Sequence, residues 1–180
     1  MGAEYQFFTQ WRVAGTLDEV KDVLGDARTL PQWWPAVYLS VHVVEPGGAG
    51  GEGAVVDLYT KGWFPYTLRW TLSIIEPITD AGFALRATGD LDGTGRWTFA
   101  QDGPEVAITY RWHISATKPL LRRLSWLFKP AFAANHRWAM KKGLESLQLE
   151  LRRRRATGDE AATIPPPPPA TFRWLKRGRK

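Results

Sequence analysis

The sequence contains no cysteine, which excludes disulfide crosslinks, thiolate nucleophiles and cysteine-ligated zinc sites. Histidine is also scarce, since the chain has only His42, His113 and His136. A zinc site needs three or four ligands close together, and strand alternation turns His42 and His113 outward. We therefore expect neither a metal nor a cofactor.

Long apolar runs are missing as well. No stretch approaches the roughly 18 apolar residues of a membrane span. Residues 1–6 lack the basic region followed by an apolar region that marks a signal peptide. With the lack of cysteine, which agrees with a reducing interior, these features predict a soluble, cytoplasmic protein.

Several catalytic motifs are absent too. No serine occupies a Gly-x-Ser-x-Gly elbow, so nothing in the sequence supports a hydrolase. The glycines from Gly47 to Gly53 lack the Gly-Lys-Ser/Thr ending of a phosphate loop and precede a strand, which predicts a flexible hairpin loop. Asp90 and Asp92 flank a glycine-bounded turn, where aspartate ordinarily caps backbone groups.

Positive charge is concentrated at one end of the chain. Residues 1–150 carry 15 Lys+Arg and 16 Asp+Glu, whereas residues 151–180 carry nine and two, so the net charge of +6 comes from the tail. A nucleic-acid-binding domain normally has its basic patch on the folded body. We therefore expect no specific nucleic acid, and a weak contact of the basic tail with an anionic membrane or polyanion stays open.

Most of the chain alternates with a period of two residues. This pattern predicts strands at residues 5–13, 36–45, 53–60, 66–76, 82–88, 96–101 and 105–116, joined by short loops in an antiparallel meander. Thr16 and Glu19 form a capping box that predicts a helix over 17–24. A second short helix over 27–30 ends before Pro31.

One long helix follows the strands. Pro130 is well placed to open it, and an apolar stripe then recurs at helical spacing through Phe132, His136, Met140, Gly143, Leu147 and Leu151. A single helix laid across a curved sheet leaves a hollow between them. A concave, aromatic-lined hollow is the usual form of a small-molecule site.

The inward faces of the strands are rich in aromatic residues. Trp70, Trp97 and Trp112 fall on the inward parity, and the chain has ten tryptophans in all. These rings either fill the core or line a pocket with flat faces for a ligand. Trp63 and Phe64 lie in a turn, where they either pack, guard a pocket mouth or touch a membrane.

Four stretches carry a family resemblance: residues 30–35 (LPQWWP), 60–66 (TKGWFPY), 89–97 (GDLDGTGRW) and 135–140 (NHRWAM). With the order of elements, residues 4–155 resemble the START-like superfamily, in its polyketide cyclase/dehydrase-like branch. The resemblance implies an α+β helix-grip fold. A curved antiparallel sheet of about seven strands would wrap around the long C-terminal helix, with two short helices after strand 1.

The resemblance also implies a cavity that binds lipids, polyketides or similar hydrophobic compounds. With the strand parities, it predicts these ligand-binding residues: Trp34, Trp63, Leu68, Trp70, Leu72, Leu85, Trp97, Phe99, Tyr110, Trp112, His136 and Met140. The first hypothesis is a noncatalytic binder or carrier. The alternative is a cyclase or dehydratase that uses His136 and Tyr110 as acid or base, and the competing reading of His136 is a buried histidine bonded to backbone.

The sequence divides into two regions. Residues 1–156 are predicted to form the START-like ligand-binding domain. Residues 157–180 are predicted to be a basic, proline-rich and largely disordered tail, in which Pro165 to Pro169 form a stiff spacer.

Overall fold

The computed structural model describes residues 4–116 and 125–172, with side chains of the long helix described from Pro130 onward. Its strands are β1 Glu4–Ala14, β2 Tyr38–Glu45, β3 Val55–Lys61, β4 Thr67–Thr79, β5 Gly82–Gly89, β6 Leu91–Asp102 and β7 Glu105–Ala116. They form one antiparallel sheet in the order β1-β7-β6-β5-β4-β3-β2. The predicted seven-stranded helix-grip fold is confirmed.

The helices are α1 Leu17–Leu24, α2 Leu30–Trp33, α3 Ser125–Arg155 and α4 Glu160–Thr163, with a 3-10 turn at Ala27–Thr29. The capping box at the start of α1 is present: Thr16 N donates to Glu19 Oε2 (2.8 Å) and Glu19 N donates to Thr16 Oγ1 (3.3 Å). Pro130 lies inside α3 and does not open it. The helix tolerates the proline, although a proline has no N–H to donate within the helix.

Strand β6 begins at Leu91, five residues before the predicted start at Arg96. Gly93 and Gly95 suggested a turn. In the structure they lie within the strand, where neighbouring groups approach so closely that a larger residue would not fit. A Cβ on Gly93 would lie 1.9 Å from the His113 carbonyl oxygen, and one on Gly95 would lie 2.7 Å from Trp112 Cε3. The turn itself is at Asp90, whose Oδ2 accepts a hydrogen bond from Arg69 N (2.9 Å).

The two faces of the sheet follow the predicted alternation. On β4 and β7 the inward residues are buried, and His42, Arg111 and His113 are exposed on the outer face. Burial of alternate apolar residues provides most of the free energy that holds the sheet against α3, at about 25 cal/mol per Å² of apolar area. The long helix therefore lies across a continuous apolar surface.

The end of α3 is tied to the body by ion pairs. Arg155 donates to Glu19 Oε1 (2.6 Å) and to the Ala14 carbonyl (2.9 Å). Arg153 and Arg154 both pair with Glu150 at 2.9 Å. Three of the four consecutive arginines thus bind carboxylates of the protein itself.

The C-terminal strap, which we define as residues 164–172, makes hydrogen bonds to α3 and to the β3–β4 turn. Arg153 donates to the Pro165 carbonyl (3.1 Å), and Thr171 Oγ1 lies 3.3 Å from the Gly62 carbonyl and 3.1 Å from that of Trp63. Extended prolines make no hydrogen bonds among themselves, so the strap's carbonyls accept them from neighbours. The predicted tail also includes residues 173–180, which lie outside the described residues.

None of the helices in the described parts of the chain is both long enough and apolar enough to cross a membrane.

Candidate functional site

A cavity of about 160 Å³ lies between the inner face of the sheet and α3. Strands β4 to β7 supply its aromatic and aliphatic wall, and the first half of α3 covers it. The predicted ligand-binding residues that line it are Trp34, Leu68, Trp70, Leu72, Leu85, Trp97, Tyr110, Trp112, His136 and Met140. Strand and helix periodicity thus brings residues far apart in sequence to one space.

Two residues on the predicted list lie elsewhere. Trp63 is 49% exposed in the β3–β4 turn, outside the cavity. Phe99 is buried, but it packs against Phe83 with ring centroids 6.1 Å apart, towards the far end of β6. The alternation of side chains along a strand shows on which face a residue lies. It does not show which part of the strand borders the cavity.

The aromatic rings of the wall contact one another. Trp97 stacks on Tyr110 (4.0 Å between centroids, 17° between planes), Tyr110 stacks on Trp112 (5.6 Å), and Trp112 meets Trp70 (5.9 Å). The tryptophans therefore do both things that the sequence suggested: they fill much of the interior and line the remainder. We call these four residues the aromatic wall.

The size of the cavity limits what it holds. Ligand pockets usually measure about 300–1,000 Å³, but an apolar cavity of about 150 Å³ is large enough for benzene. A second, more open groove of about 480 Å³ adjoins it, sharing Gly25, Ala27, Leu72 and Ile74 in its lining. The inner cavity thus has room for one ring, and the adjoining groove has room for a longer substituent.

The polar groups of the cavity are uncharged, apart from Lys61. Burial raises the pKa of Tyr66 to about 12 and raises the pKa values of Tyr38 and Tyr110, so these phenols stay protonated at neutral pH. In the described structure, the Tyr66 hydroxyl and Trp34 Nε1 are buried without a hydrogen-bond partner. No Asp or Glu side chain is among the described residues that line the cavity.

His136 stacks on Phe7, with centroids 4.1 Å apart and planes 13° apart, and its Nε2 lies 3.4 Å from Thr9 Oγ1. Burial, helped by the charge of Arg137, lowers the pKa of His136 to about 4. The ring is therefore neutral near pH 7 and is a weak base there. Its polar contact is with a side-chain hydroxyl, not with the backbone.

Several lining residues were not predicted, among them Phe7, Tyr38, Lys61, Phe132 and Asn135. Phe7 lies on the inward face of β1, and Phe132 lies on the apolar stripe of α3. The sequence pattern could therefore have identified both as lining residues.

No pattern in the sequence could have identified Asn135, because its position depends on a contact with Trp63, which is 72 residues away. Its Oδ1 accepts a hydrogen bond from Trp63 N (2.7 Å). A Cβ on Gly62 would lie 2.2 Å from that same oxygen. Asn135 and Gly62 belong to two of the stretches that carry the family resemblance, and the fold brings those stretches together.

No group of three or more His, Asp or Glu side chains that could hold a metal ion occurs among residues 4–116 and 125–172.

A family described as polyketide cyclase / dehydrase and lipid transport matches residues 7–152. The chain belongs to this family. The match covers the whole sheet apart from the start of β1, and most of α3. Among curated proteins no significant match is found.

Solved structures share the fold of this family member. The Zhui aromatase/cyclase from Streptomyces sp. R1128 superposes with a TM-score of 0.63 at 19% identity, over 87% of this chain and 99% of that chain. A START superfamily protein from Mycobacterium smegmatis has a TM-score of 0.56 at 14% identity, over 79% and 98%.

Norcoclaurine synthase from Thalictrum flavum, solved with dopamine and hydroxybenzaldehyde, has a TM-score of 0.56 at 14% identity, over 87% of this chain and 91% of that chain. At these identities the likeness shows the fold alone. It confirms the START-like architecture, and the family and its neighbours point coarsely to hydrophobic ligand binding or cyclase-type activity.

Proposed function

We propose that this protein binds or carries a hydrophobic small molecule that contains an aromatic ring, without altering it chemically. The observation that carries the proposal is the aromatic wall facing an open cavity of about 160 Å³. Stacked rings offer flat apolar faces, and ring-on-ring contacts contribute about 0.5–1.5 kcal/mol beyond the area they bury. Membership of a cyclase and lipid transport family agrees with this role.

Two buried donors narrow the ligand further. The Tyr66 hydroxyl and Trp34 Nε1 line the same cavity and have no partner in the described structure. An unsatisfied buried polar group costs about 1–3 kcal/mol. A ligand that carries a carbonyl, ether or phenol oxygen beside its ring would relieve that cost, so we favour an oxygenated aromatic compound over a plain hydrocarbon.

Binding can be tested with a simple aromatic alcohol. Purified protein is extracted and examined by native mass spectrometry for apolar ligands, and phenol is then titrated while tryptophan fluorescence is recorded. Ala139→Phe places a ring in the cavity and is expected to weaken binding at least about tenfold. Ala100→Phe lies on the exposed outer face of β6 and serves as the control.

If no apolar compound is bound or bindable, or if Ala139→Phe binds as well as the wild type, the proposed role is wrong.

A cyclase or dehydratase acting on an aromatic polyketide is the second candidate. It is favoured by the placement of Tyr110 and His136 in one cavity and by the family description. Enclosing a reactive chain in a productive shape supplies much of the barrier reduction in such a reaction. The low pKa of His136 weighs against it as an acid at neutral pH.

The two candidates predict different effects of His136→Ala. If the variant keeps ligand affinity but loses turnover of a candidate polyketide, the enzyme is favoured. If turnover is unchanged, His136 has no catalytic role, and Tyr110→Phe becomes the remaining test of that mechanism.

A further inference from the structure

The inner cavity is continuous with the adjoining groove at one end. Both spaces are lined by Gly25 and Ala27, on the connection that follows α1, and by Leu72 and Ile74, on the inner face of β4. The gap between the connection and the strand stays open, because glycine has no side chain and alanine has only a methyl group. A passage therefore joins the narrow cavity to the wider groove.

The wall of the groove is largely apolar. The apolar side chains that line the groove and not the cavity are Val43, Pro46, Ala54, Val56 and Ile78. Ile78 lies between the two sides of the groove: its Cδ1 would be 3.1 Å from a Cβ on Gly25 and 3.3 Å from a Cβ on Gly51. It therefore joins the connection after α1 to the glycine-rich β2–β3 loop.

The cations at the edge of the groove are already paired. Lys21 Nζ donates to Asp18 (2.8 Å) and to Asp80 (2.6 Å), and Arg28 Nε donates to Asp26 (2.7 Å). The described groove lining also has two exposed acidic residues, Asp22 and Glu45. A negatively charged ligand group would therefore meet carboxylates in this lining, while both of its cations are occupied.

We propose that the groove is a second part of the ligand site and takes an uncharged alkyl chain carried by the ring that occupies the cavity. This inference rests on the proposed function, since it extends the same ligand outward. One ring fills the cavity of about 160 Å³, so a longer ligand must continue through the passage. The groove of about 480 Å³ offers apolar contacts to that continuation. The ligand class is thus a ring with an alkyl chain, as in a para-alkylphenol.

Strand β2 offers a matched pair of positions for testing the groove. Val43 lines the groove and is partly buried against the core. Val44, the next residue, is 48% exposed and lines neither the groove nor the cavity. The same substitution at the two positions therefore changes the groove in one variant and only the surface in the other.

The test is a titration of the full chain with phenol and a series of para-alkylphenols, while tryptophan fluorescence is recorded. Each added carbon should raise the affinity about two- to fourfold, because the groove buries the chain in part. The affinity for para-hexylphenol should exceed the affinity for phenol at least about 50-fold. A smaller ratio in the wild-type protein overturns the proposal.

Val43→Phe places a ring in the groove and should lower this affinity ratio at least about tenfold. Val44→Phe is the control and should leave the ratio within about twofold of the wild-type value. Circular dichroism spectra of both variants establish that they are folded. Equal ratios in the two variants would show that the chain lies outside the groove.

Failure of the proposed function gives a different result. If neither phenol nor any alkylphenol binds, the cavity is not a ligand site and both proposals are wrong. If phenol binds and Ala139→Phe weakens it, but chain length has no effect, only the groove proposal is wrong. Tighter binding of para-hydroxyphenylbutanoic acid than of para-butylphenol would show that the groove takes an anionic group, which also overturns it.

Discussion

His136 is a residue whose environment changes its chemistry. It lies between Phe7 and the cavity, and burial lowers its pKa from the ordinary value of 6.5 to about 4. The folded protein therefore resists protonation of this side chain over a range in which the unfolded chain accepts a proton. Below pH 6.5 that difference favours the unfolded state.

The consequence is a pH-dependent loss of stability. Between pH 6.5 and about 4 the unfolded state binds one more proton at His136, so the free energy of unfolding should fall by at most about 3 kcal/mol. Above pH 6.5 the ring is neutral in both states and contributes no pH dependence. His136→Gln should remove this part of the acid sensitivity in urea unfolding at pH 7.5 and pH 5.

His113→Gln is the control, because His113 is exposed on β7. It should leave the difference between the two pH values unchanged. Equal acid sensitivity of His136→Gln and the wild type would show that His136 is not the group responsible.

Gly143 is the second residue that controls the site. It belongs to the buried stripe of α3, and a Cβ there would lie 2.3 Å from Trp34 Cζ2. Alanine is normally better than glycine in a helix by about 1 kcal/mol. Here the close approach of the tryptophan reverses that preference.

Gly143→Ala should therefore destabilise the protein by about 1–2 kcal/mol in denaturant unfolding and weaken ligand binding by displacing Trp34. A smaller ring at position 34 relieves the clash, so Trp34→Phe with Gly143→Ala should cost less than the sum of the single changes. Additive effects in this double-mutant cycle would mean that the contact is not the cause.

At the scale of elements, the strap is the segment that the sequence describes least well. Its proline content predicts a stiff spacer, but the anchor points at Pro165 and Thr171 depend on partners in α3 and in the β3–β4 turn. Ile164 is only 8% exposed and anchors the start of the strap. The local sequence of the strap does not show which distant surface the strap will pack against.

Ile164→Ala should release the strap, because burial of an isoleucine side chain contributes about 1.5–3 kcal/mol. Chymotrypsin cleavage after Phe172 reports the release and should become at least several times faster. Ala162→Ser, at an exposed position of α4, is the control and should be cleaved at the wild-type rate. Unchanged cleavage of Ile164→Ala would show that this contact does not hold the strap.

The strands illustrate both the success and the limit of sequence patterns. Seven strands and their inward faces were predictable because side chains alternate with a fixed period of two. The start of β6 was not, because Gly93 and Gly95 look like turn residues. Their actual role is to let His113, Tyr110 and Trp112 come close, which is a tertiary requirement.

For the whole molecule, the existence of a hollow was predictable from one helix covering a broad sheet, but its volume was not. That volume depends on how far large rings collapse on one another, as with Trp97 and Tyr110 at 4.0 Å. Nine of the ten predicted site residues that line the cavity share an inward strand face or the stripe of α3, and the tenth, Trp34, lies at the end of α2. Their role in binding stays a prediction.

A ligand that occupies this cavity only in the folded state should stabilise the whole protein. At a free concentration about 100 times the dissociation constant, the expected gain in the free energy of unfolding is about 2.7 kcal/mol. Thermal unfolding with and without phenol measures it. In Ala139→Phe the shift should fall to about half or less while the unliganded protein remains folded. A shift of wild-type size there would place the ligand elsewhere.

The alternation of the strands has a consequence for how this protein can diversify. Replacing every second residue of β4 or β7 remodels the interior and leaves the water-facing surface as it was. Variation on the inward face can therefore change the shape of the cavity while the charges of the outer face stay the same. The same separation allows the inward-facing and the outward-facing residues of these strands to be redesigned separately.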